Sequence, residues 1–375
     1  MGTFALGTFI GPVIGGAIVA RTSWHWIFYM NLPIAGVALV LVTLFLHVRR
    51  KREGTLAQRI SRVDFGGNAI LSASIVSILV ALTWGGTSYT WSSWHILLPL
   101  LIGTLGLVLF GLHQEYIGKD PSMPHRVYGN TTSLLACVLT FLHGMAMSWL
   151  SFFLPVFFQV LLHASPMRSG VDLLTIVIPL IPAGIVGGLT VARTERFQPT
   201  IIFGYSLLTL LTQHSSTAKC AIFQIITGIG GGLALTSTLP QFGSIWGAAI
   251  PAAVFNSHFD SHLSQISDAA VREQLARGGA YEHATKVFIT SFDDQPELQQ
   301  EIIDIYQSSL KLVWQVLIGF ALLAFPLAVC IAEVELRKEL VTEFGLQEGA
   351  DELQQRRIAT QEPEVELQVL DSRAR

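Results

Sequence analysis

Apolar residues run along this chain in long stretches, and polar residues collect between them. A helix that crosses a membrane needs roughly 17–25 mostly apolar residues. Ten stretches meet or approach that requirement, near 2–20, 26–47, 65–84, 95–113, 133–162, 168–191, 199–213, 219–239, 242–256 and 311–332. The pattern predicts an all-α protein, a polytopic membrane helix bundle. Two polar pieces stand apart, 257–310 and the tail from 333 to 375. The stretch Ile201–Gln213 is marginal, and Phe242–Asn256 reaches only about 22 Å as a helix at ~1.5 Å per residue. The hydrocarbon core is about 30 Å thick. Between Leu239 and Phe242 only Pro240 and Gln241 remain. Either this segment is re-entrant or tilted, or residues are missing from the chain there.

Composition agrees with the pattern. Hydrophobic residues make up 51% of the chain and charged ones 13%, against about 25% charged in a soluble domain. So apolar a chain cannot cover itself with polar surface, and lipid is its natural solvent. A formal net charge of −3 is too small to suggest nucleic acid or any strongly charged partner. Cys137, Cys220 and Cys330 sit inside apolar stretches without ligand spacing, so neither a metal site nor a disulfide framework is indicated. The first stretch lacks a basic leader and is interrupted by Gly11, Pro12, Gly15 and Gly16, so no cleavable signal peptide is expected. The reading expects instead a sequence that begins partway through a longer protein.

Basic residues set the orientation, because cytoplasmic loops hold the excess of Lys and Arg. Arg49, Arg50, Lys51, Arg52, Arg59 and Arg62 follow the second stretch and place that loop inside. Alternation then puts Lys119, Arg126, Arg193, Arg196, Arg337 and Lys338 inside as well. The uncharged loop 85–94 and the acidic segment 257–310 fall outside, with both termini in the cytosol.

In the first stretch Gly7, Gly11 and Gly15 recur every four residues. They form one smooth face that another helix can approach closely, while Pro12 removes a backbone donor and kinks the helix. Ionisable and polar residues inside spans are costly and therefore functional candidates. His143 lies mid-span and either contacts substrate or a proton, or makes an interhelical hydrogen bond. Gln159, with Trp149, Phe152 and Phe153, either lines an amphipathic cavity or leaves its aromatic neighbours to lipid. Asp64 and Asp172 stand near helix starts, where a carboxylate complements the helix dipole, and are read as caps. The glycines Gly228, Gly230, Gly231 and Gly232 lie inside an apolar stretch with no preceding strand, which favours close helix packing over nucleotide binding. Asn130-Thr131-Thr132 is a sequon, but the orientation places it in the cytosol.

Several of these segments resemble one family. Gly7-x3-Gly11-Pro12-x2-Gly15-Gly16 is similar to the antiporter signature in the fifth helix of the drug:proton antiporters of the major facilitator superfamily. Trp24-His25-Trp26-Ile27-Phe28-Tyr29-Met30-Asn31-Leu32-Pro33 resembles the start of the sixth helix, with His25 where the family usually has Arg. Arg62-Val63-Asp64-Phe65-Gly66-Gly67 resembles the start of the seventh helix in the fourteen-span branch. Phe153-Leu154-Pro155-Val156-Phe157-Phe158-Gln159 and Ser165-Pro166-Met167-Arg168-Ser169-Gly170-Val171 are similar to the ninth helix and the turn into the tenth. Gly187-Gly188-Leu189-Thr190-Val191-Ala192-Arg193 looks like a degenerate copy of the family's loop motif, and Leu336–Leu346 looks like the tail of filamentous-fungal members.

The resemblance implies a partial major facilitator fold with about ten spans present. Residues 1–256 would correspond to spans five to thirteen, with an internal deletion near 239–242. An extracytoplasmic loop at 257–310, a last transmembrane helix at 311–332 and a cytoplasmic tail at 333–375 would follow. It implies a bent first helix at the interface of two halves, where the signature seals and switches the pathway. The implied function is proton-coupled efflux of small amphipathic organic compounds or toxins by alternating access, in the plasma or vacuolar membrane. Lipid, small-molecule substrate and protons are the partners; no cofactor or metal is implied. Two alternatives accompany it. A membrane-embedded enzyme would need clustered His, Asp or Cys, whereas His113, His125, His143, His163 and His214 are scattered. A truncated, non-transporting fragment would keep the family's shape without cycling.

Overall fold

A computed structural model describes residues 2–46, 48–49, 63–116, 129–194, 243–330 and 345–346. The stretches read at 199–213 and 219–239, and the sites at 228–232, lie outside the described residues. Six of the other expected spans are helices within a few residues of their expected bounds: α1 (Gly2–Arg21), α2 (His25–Phe45), α3 (Phe65–Trp84), α4 (Trp94–Tyr116), α5 (Thr131–Val160) and α6 (Pro166–Thr194). Among the described residues five helices are long and apolar enough to cross a membrane: α2, α3, α4, α5 and the last described helix, α11 (Pro296–Val329).

Capping residues fix several boundaries. Asp64 accepts a hydrogen bond from the Gly67 N–H at 2.7 Å, as an N-cap should. Asn130 of the sequon does the same for α5, accepting from Thr132 N–H at 3.0 Å. Asp172 is not a cap. Because α6 starts at Pro166, Asp172 falls beyond the first turn and pairs with Arg168 at 3.0 Å instead. Ser165 takes the capping role, its Oγ accepting from Arg168 N–H at 3.2 Å.

The polar segment 257–310 differs from the expected loop. α7 (Gly243–His262) continues past Asn256, and its 20 residues span about 30 Å rather than 22 Å. A 3-10 turn (Leu263–Gln265) and three short helices follow, α8 (Ala269–Leu275), α9 (Gly279–Glu282) and α10 (Lys286–Thr290). The last helix then begins at Pro296, well before the expected 311. The reason is amphipathicity. Pro251, Phe255 and Phe259 recur every four residues along α7, and Leu298, Ile302, Ile305 and Tyr306 form a stripe on α11; all seven are buried. A helix persists outside the membrane wherever such a stripe finds a partner surface.

Two compact units emerge. One comprises 1–24 and 60–336; the other comprises 25–59 and 337–375. In the first, α5 packs against α7, α11 and α6, α3 packs against α4, and α1 packs against α6. Its core centres on Met145, Trp149, Phe153, Phe255, Phe259 and Tyr306, all fully buried or nearly so. The α3–α4 hairpin is closed by small residues. A Cβ on Gly103 would lie 2.7 Å from the Ser74 carbonyl oxygen, and Ser77 Oγ donates to the Pro99 carbonyl at 2.9 Å. At its open end Gln114 Nε2 donates to the Asp64 carboxylate, with His113 Nδ1 at 3.9 Å from it. At its turn Trp91 Nε1 donates to Ser257 Oγ of α7 at 3.2 Å. In the second unit no residue of α2 is buried, as suits a helix solvated by lipid. That unit also holds a short antiparallel ladder of β1 (Val48–Arg49) and β2 (Gly345–Leu346).

Candidate translocation site

Two glycine-bearing segments distant in sequence meet in space. A Cβ built on Gly16 of α1 would lie 2.6 Å from the Pro166 carbonyl oxygen and 3.0 Å from Met167 Cα, at the start of α6. Reciprocally, a Cβ on Gly170 of α6 would strike the carbonyl of Pro12. Backbone therefore lies against backbone in both directions, which only glycine permits. A Cβ on Gly7, Gly11 or Gly15 meets nothing within 4 Å among the described residues. Of the first helix's signature, Pro12 and Gly16 make the contact with α6. Sequence reasoning quoted Pro166, Met167 and Gly170 but did not single them out as site residues; their pairing with α1 is a property of two helices together.

One measurement separates these glycines. Gly16→Leu is expected to drive α1 from α6 and lower the thermal midpoint of the purified protein by several degrees, the scale of overpacking at about 1–3 kcal/mol. Gly11→Leu should change it little. Equal midpoints for the two variants would contradict the observed contact.

The polar candidates fall on α5. His143 is buried, and its Nδ1 has no hydrogen-bond partner among the described residues. Trp149 is fully buried, with its ring edge-on to Phe320 of α11 at 6.1 Å between centroids. It does not face lipid, and neither does Phe153, whose ring lies 5.8 Å from Phe255 and 5.4 Å from Tyr281. Phe152 does point outward. Gln159 is partly exposed and lies about 160° around the helix from His143 at ~100° per residue. The structure thus puts His143 and Gln159 on different faces of α5.

Sequence reasoning missed the closest helix contact in the molecule's core. Gly243 and Gly247 of α7 press on α5: a Cβ on Gly243 would strike the Phe141 carbonyl, and one on Gly247 the Met145 carbonyl. The spacing Gly243-x3-Gly247 is itself a small-residue signal that could have found it. Among the described residues no group of three or more His, Cys, Asp or Glu is placed to hold a metal ion.

The sequence profile described as the Major Facilitator Superfamily matches residues 1–255. The chain belongs to the major facilitator superfamily. Curated relatives agree. An "MFS-type efflux pump LUC4" of a Fusarium species is 42% identical, over 92% of this chain and 67% of its own length. "Efflux pump FUS6" of Gibberella fujikuroi is 42% identical over 92% of this chain and 68% of its own. The "MFS-type transporter TwmF" of Talaromyces wortmannii is 42% identical over 93% of this chain and 69% of its own. This chain thus spans about two thirds of the length of each. Its membership in the superfamily and its apolar helices make it a multi-pass membrane protein.

Proposed function

We propose that this major facilitator protein exports small amphipathic organic compounds by alternating access, using proton entry as the driving force. The observation that carries the reading is the interlock of Pro12 and Gly16 with Pro166, Met167 and Gly170. Two helices that touch through bare backbone can slide and part with few side chains to rearrange. That is the mechanical requirement for halves that rock around a midplane site. The relatives named as efflux pumps support the direction of transport.

His143 is the group proposed to meet substrate or proton, being a buried imidazole with an open nitrogen in an otherwise apolar span. Trp149 shapes the wall beside it, and Gln159 contributes from another face of the same helix. The protein carries out no covalent chemistry, and its working membrane is the plasma or vacuolar one. The excess of Lys and Arg in 48–62 supports a topology with that loop in the cytosol and 257–310 outside. The bond from Trp91 to Ser257 supports this, since it joins two segments assigned to the same side.

The test is export of an amphipathic dye from cells that express the protein, with and without a protonophore. Export should stop when the proton gradient collapses. His143→Leu should cut it about tenfold, the scale of one lost hydrogen bond of ~1–2 kcal/mol in a membrane interior, at unchanged expression. Export indifferent to both the protonophore and the substitution would sink the reading.

A further inference from the structure

Where α7 emerges beyond its apolar half, Asn256 and Asp260 stand four residues apart and therefore on one helix face, with Cβ atoms about 5–6 Å apart. Oδ1 of each is buried without a hydrogen-bond partner among the described residues. Both side chains face the turn between α8 and α9. The Arg277 main-chain N–H is near enough to pull the Asp260 carboxyl toward its charged form, and a Cβ on Gly278 would lie 3.6 Å from Asn256 Nδ2. That turn has two successive left-handed residues, Arg277 with φ 55° and Gly278 with φ 89°. A non-glycine residue persists there only when its surroundings hold it. Two buried acceptors cannot satisfy one another, but a proton on one converts it into a donor.

We propose that Asp260 binds a proton and, once neutral, donates a hydrogen bond to Asn256, so that neither a buried charge nor two unpaired acceptors remain beneath the α8–α9 turn and the closed turn is favoured over its open form. The site faces the extracytoplasmic side under the topology proposed above. It differs from His143, which lies within the span.

Burial pushes the Asp260 carboxyl up to about 6, against the opposing pull of the Arg277 N–H. A carboxyl raised in the folded state gives stability that is present at low pH and lost as pH rises through about 6. Acidification outside the cell should therefore tighten the turn.

Other titratable groups near this site are accounted for. On α7 itself His258 and His262 stack at 4.2 Å and turn away, with His258 Nδ1 3.0 Å from Ser309 Oγ. Burial first, and then His262, hold His258 below the usual imidazole range. The α8–α9 turn brings Arg277, and α9 brings Tyr281 and Glu282. From α11, Glu301 is engaged by Ser267, Asp304 accepts from Gln300, and the Tyr306 hydroxyl donates to the Ala280 carbonyl. The adjoining ends of α3 and α5 carry no charged side chain. Among the described residues Asp260 makes no ion pair.

Hydrogen exchange on the purified full chain in lipid nanodiscs tests this, read as protection factors so that intrinsic pH effects cancel. In the wild type, protection over 270–285 should rise on the order of tenfold from pH 7.5 to 5, less than the full linkage because Asp260 is partly solvated. Asp260→Asn should show the high, pH-independent protection of the neutral form. Asn256→Ala should shrink the rise. A double substitution, His258→Gln with His262→Gln, should leave it intact. Flat protection in the wild type, a rise that survives in Asp260→Asn, or one that vanishes only in the histidine variant would each overturn the assignment. Because the readout is local exchange and not transport, its failure is separable from failure of the efflux reading.

Discussion

Gly247→Leu is expected to prevent assembly of the helical core. The Met145 carbonyl of α5 occupies the place that a Cβ at Gly247 would need, and Ser148 Cβ would be 2.8 Å away. Neither can yield cheaply. The carbonyl belongs to the backbone of a helix that also packs on α11 and α6, and Gly243, one turn back, holds the same close approach at Phe141. A leucine must therefore push α7 off α5 along two turns, breaking the ring contact of Phe141 and Trp246 at 6.4 Å. Overpacking at a single site costs about 1–3 kcal/mol, and separating two helices adds the loss of their shared surface. Gly319→Leu is the matched control, since a Cβ at Gly319 meets nothing within 4 Å among the described residues. Size-exclusion chromatography after mild detergent extraction should show Gly247→Leu largely aggregated and Gly319→Leu monodisperse. Matching profiles would mean that α5 and α7 do not lie this close.

Phe255→Ala should loosen the polar end of the molecule by the next largest amount. Phe255 is fully buried and meets the rings of Phe153, Phe259, Tyr281 and Tyr306, with centroids 5.8, 5.8, 6.4 and 5.9 Å away. It thereby joins α5, α7, α9 and α11 at one point. Removing a buried phenylalanine costs about 3–5 kcal/mol, because the neighbours cannot collapse fully into the gap. For a chain of this size the thermal midpoint in detergent should fall by roughly 5–10 °C. Exchange over 257–310 should rise more than exchange in α3 and α4, which contribute no ring to the cluster around Phe255. A uniform rise over the whole chain would show that the aromatic cluster does not act locally.

Where the hydrophobic pattern spoke clearly, the sequence was enough. α3 runs over the expected 65–84 because Asp64 caps its start and Gly85 and Gly86 end its apolar run. α11 extends ahead of the expected span for a physical reason. A search for membrane spans looks for continuous apolar runs, whereas Pro296–Leu310 is a polar helix with one apolar stripe. The stripe is visible in the spacing of Leu298, Ile302 and Ile305, but its partner surface is supplied by α7 and the short helices, far away along the chain. The same limit applies to the glycines. Their four-residue repeat in α1 marks a smooth face, yet the glycine of α1 that touches α6 is Gly16, one position off that repeat. Which side of a helix meets its neighbour depends on the neighbour. His143 and Gln159 could be flagged one at a time, but their separation around α5 follows only once the helix is continuous between them.

The bond from Trp91 to Ser257 gives the protein a built-in optical gauge. Indole emission shifts with the polarity around the ring and with the fate of its N–H, and this ring is 41% exposed while its Nε1 is held by a hydroxyl on α7. Of the chain's eight tryptophans, it is the one that ties the turn of the α3–α4 hairpin to the far end of another helix. With the others replaced by phenylalanine, the colour of its fluorescence would report, without any attached dye, whether hairpin and helix travel together or come apart as the molecule works.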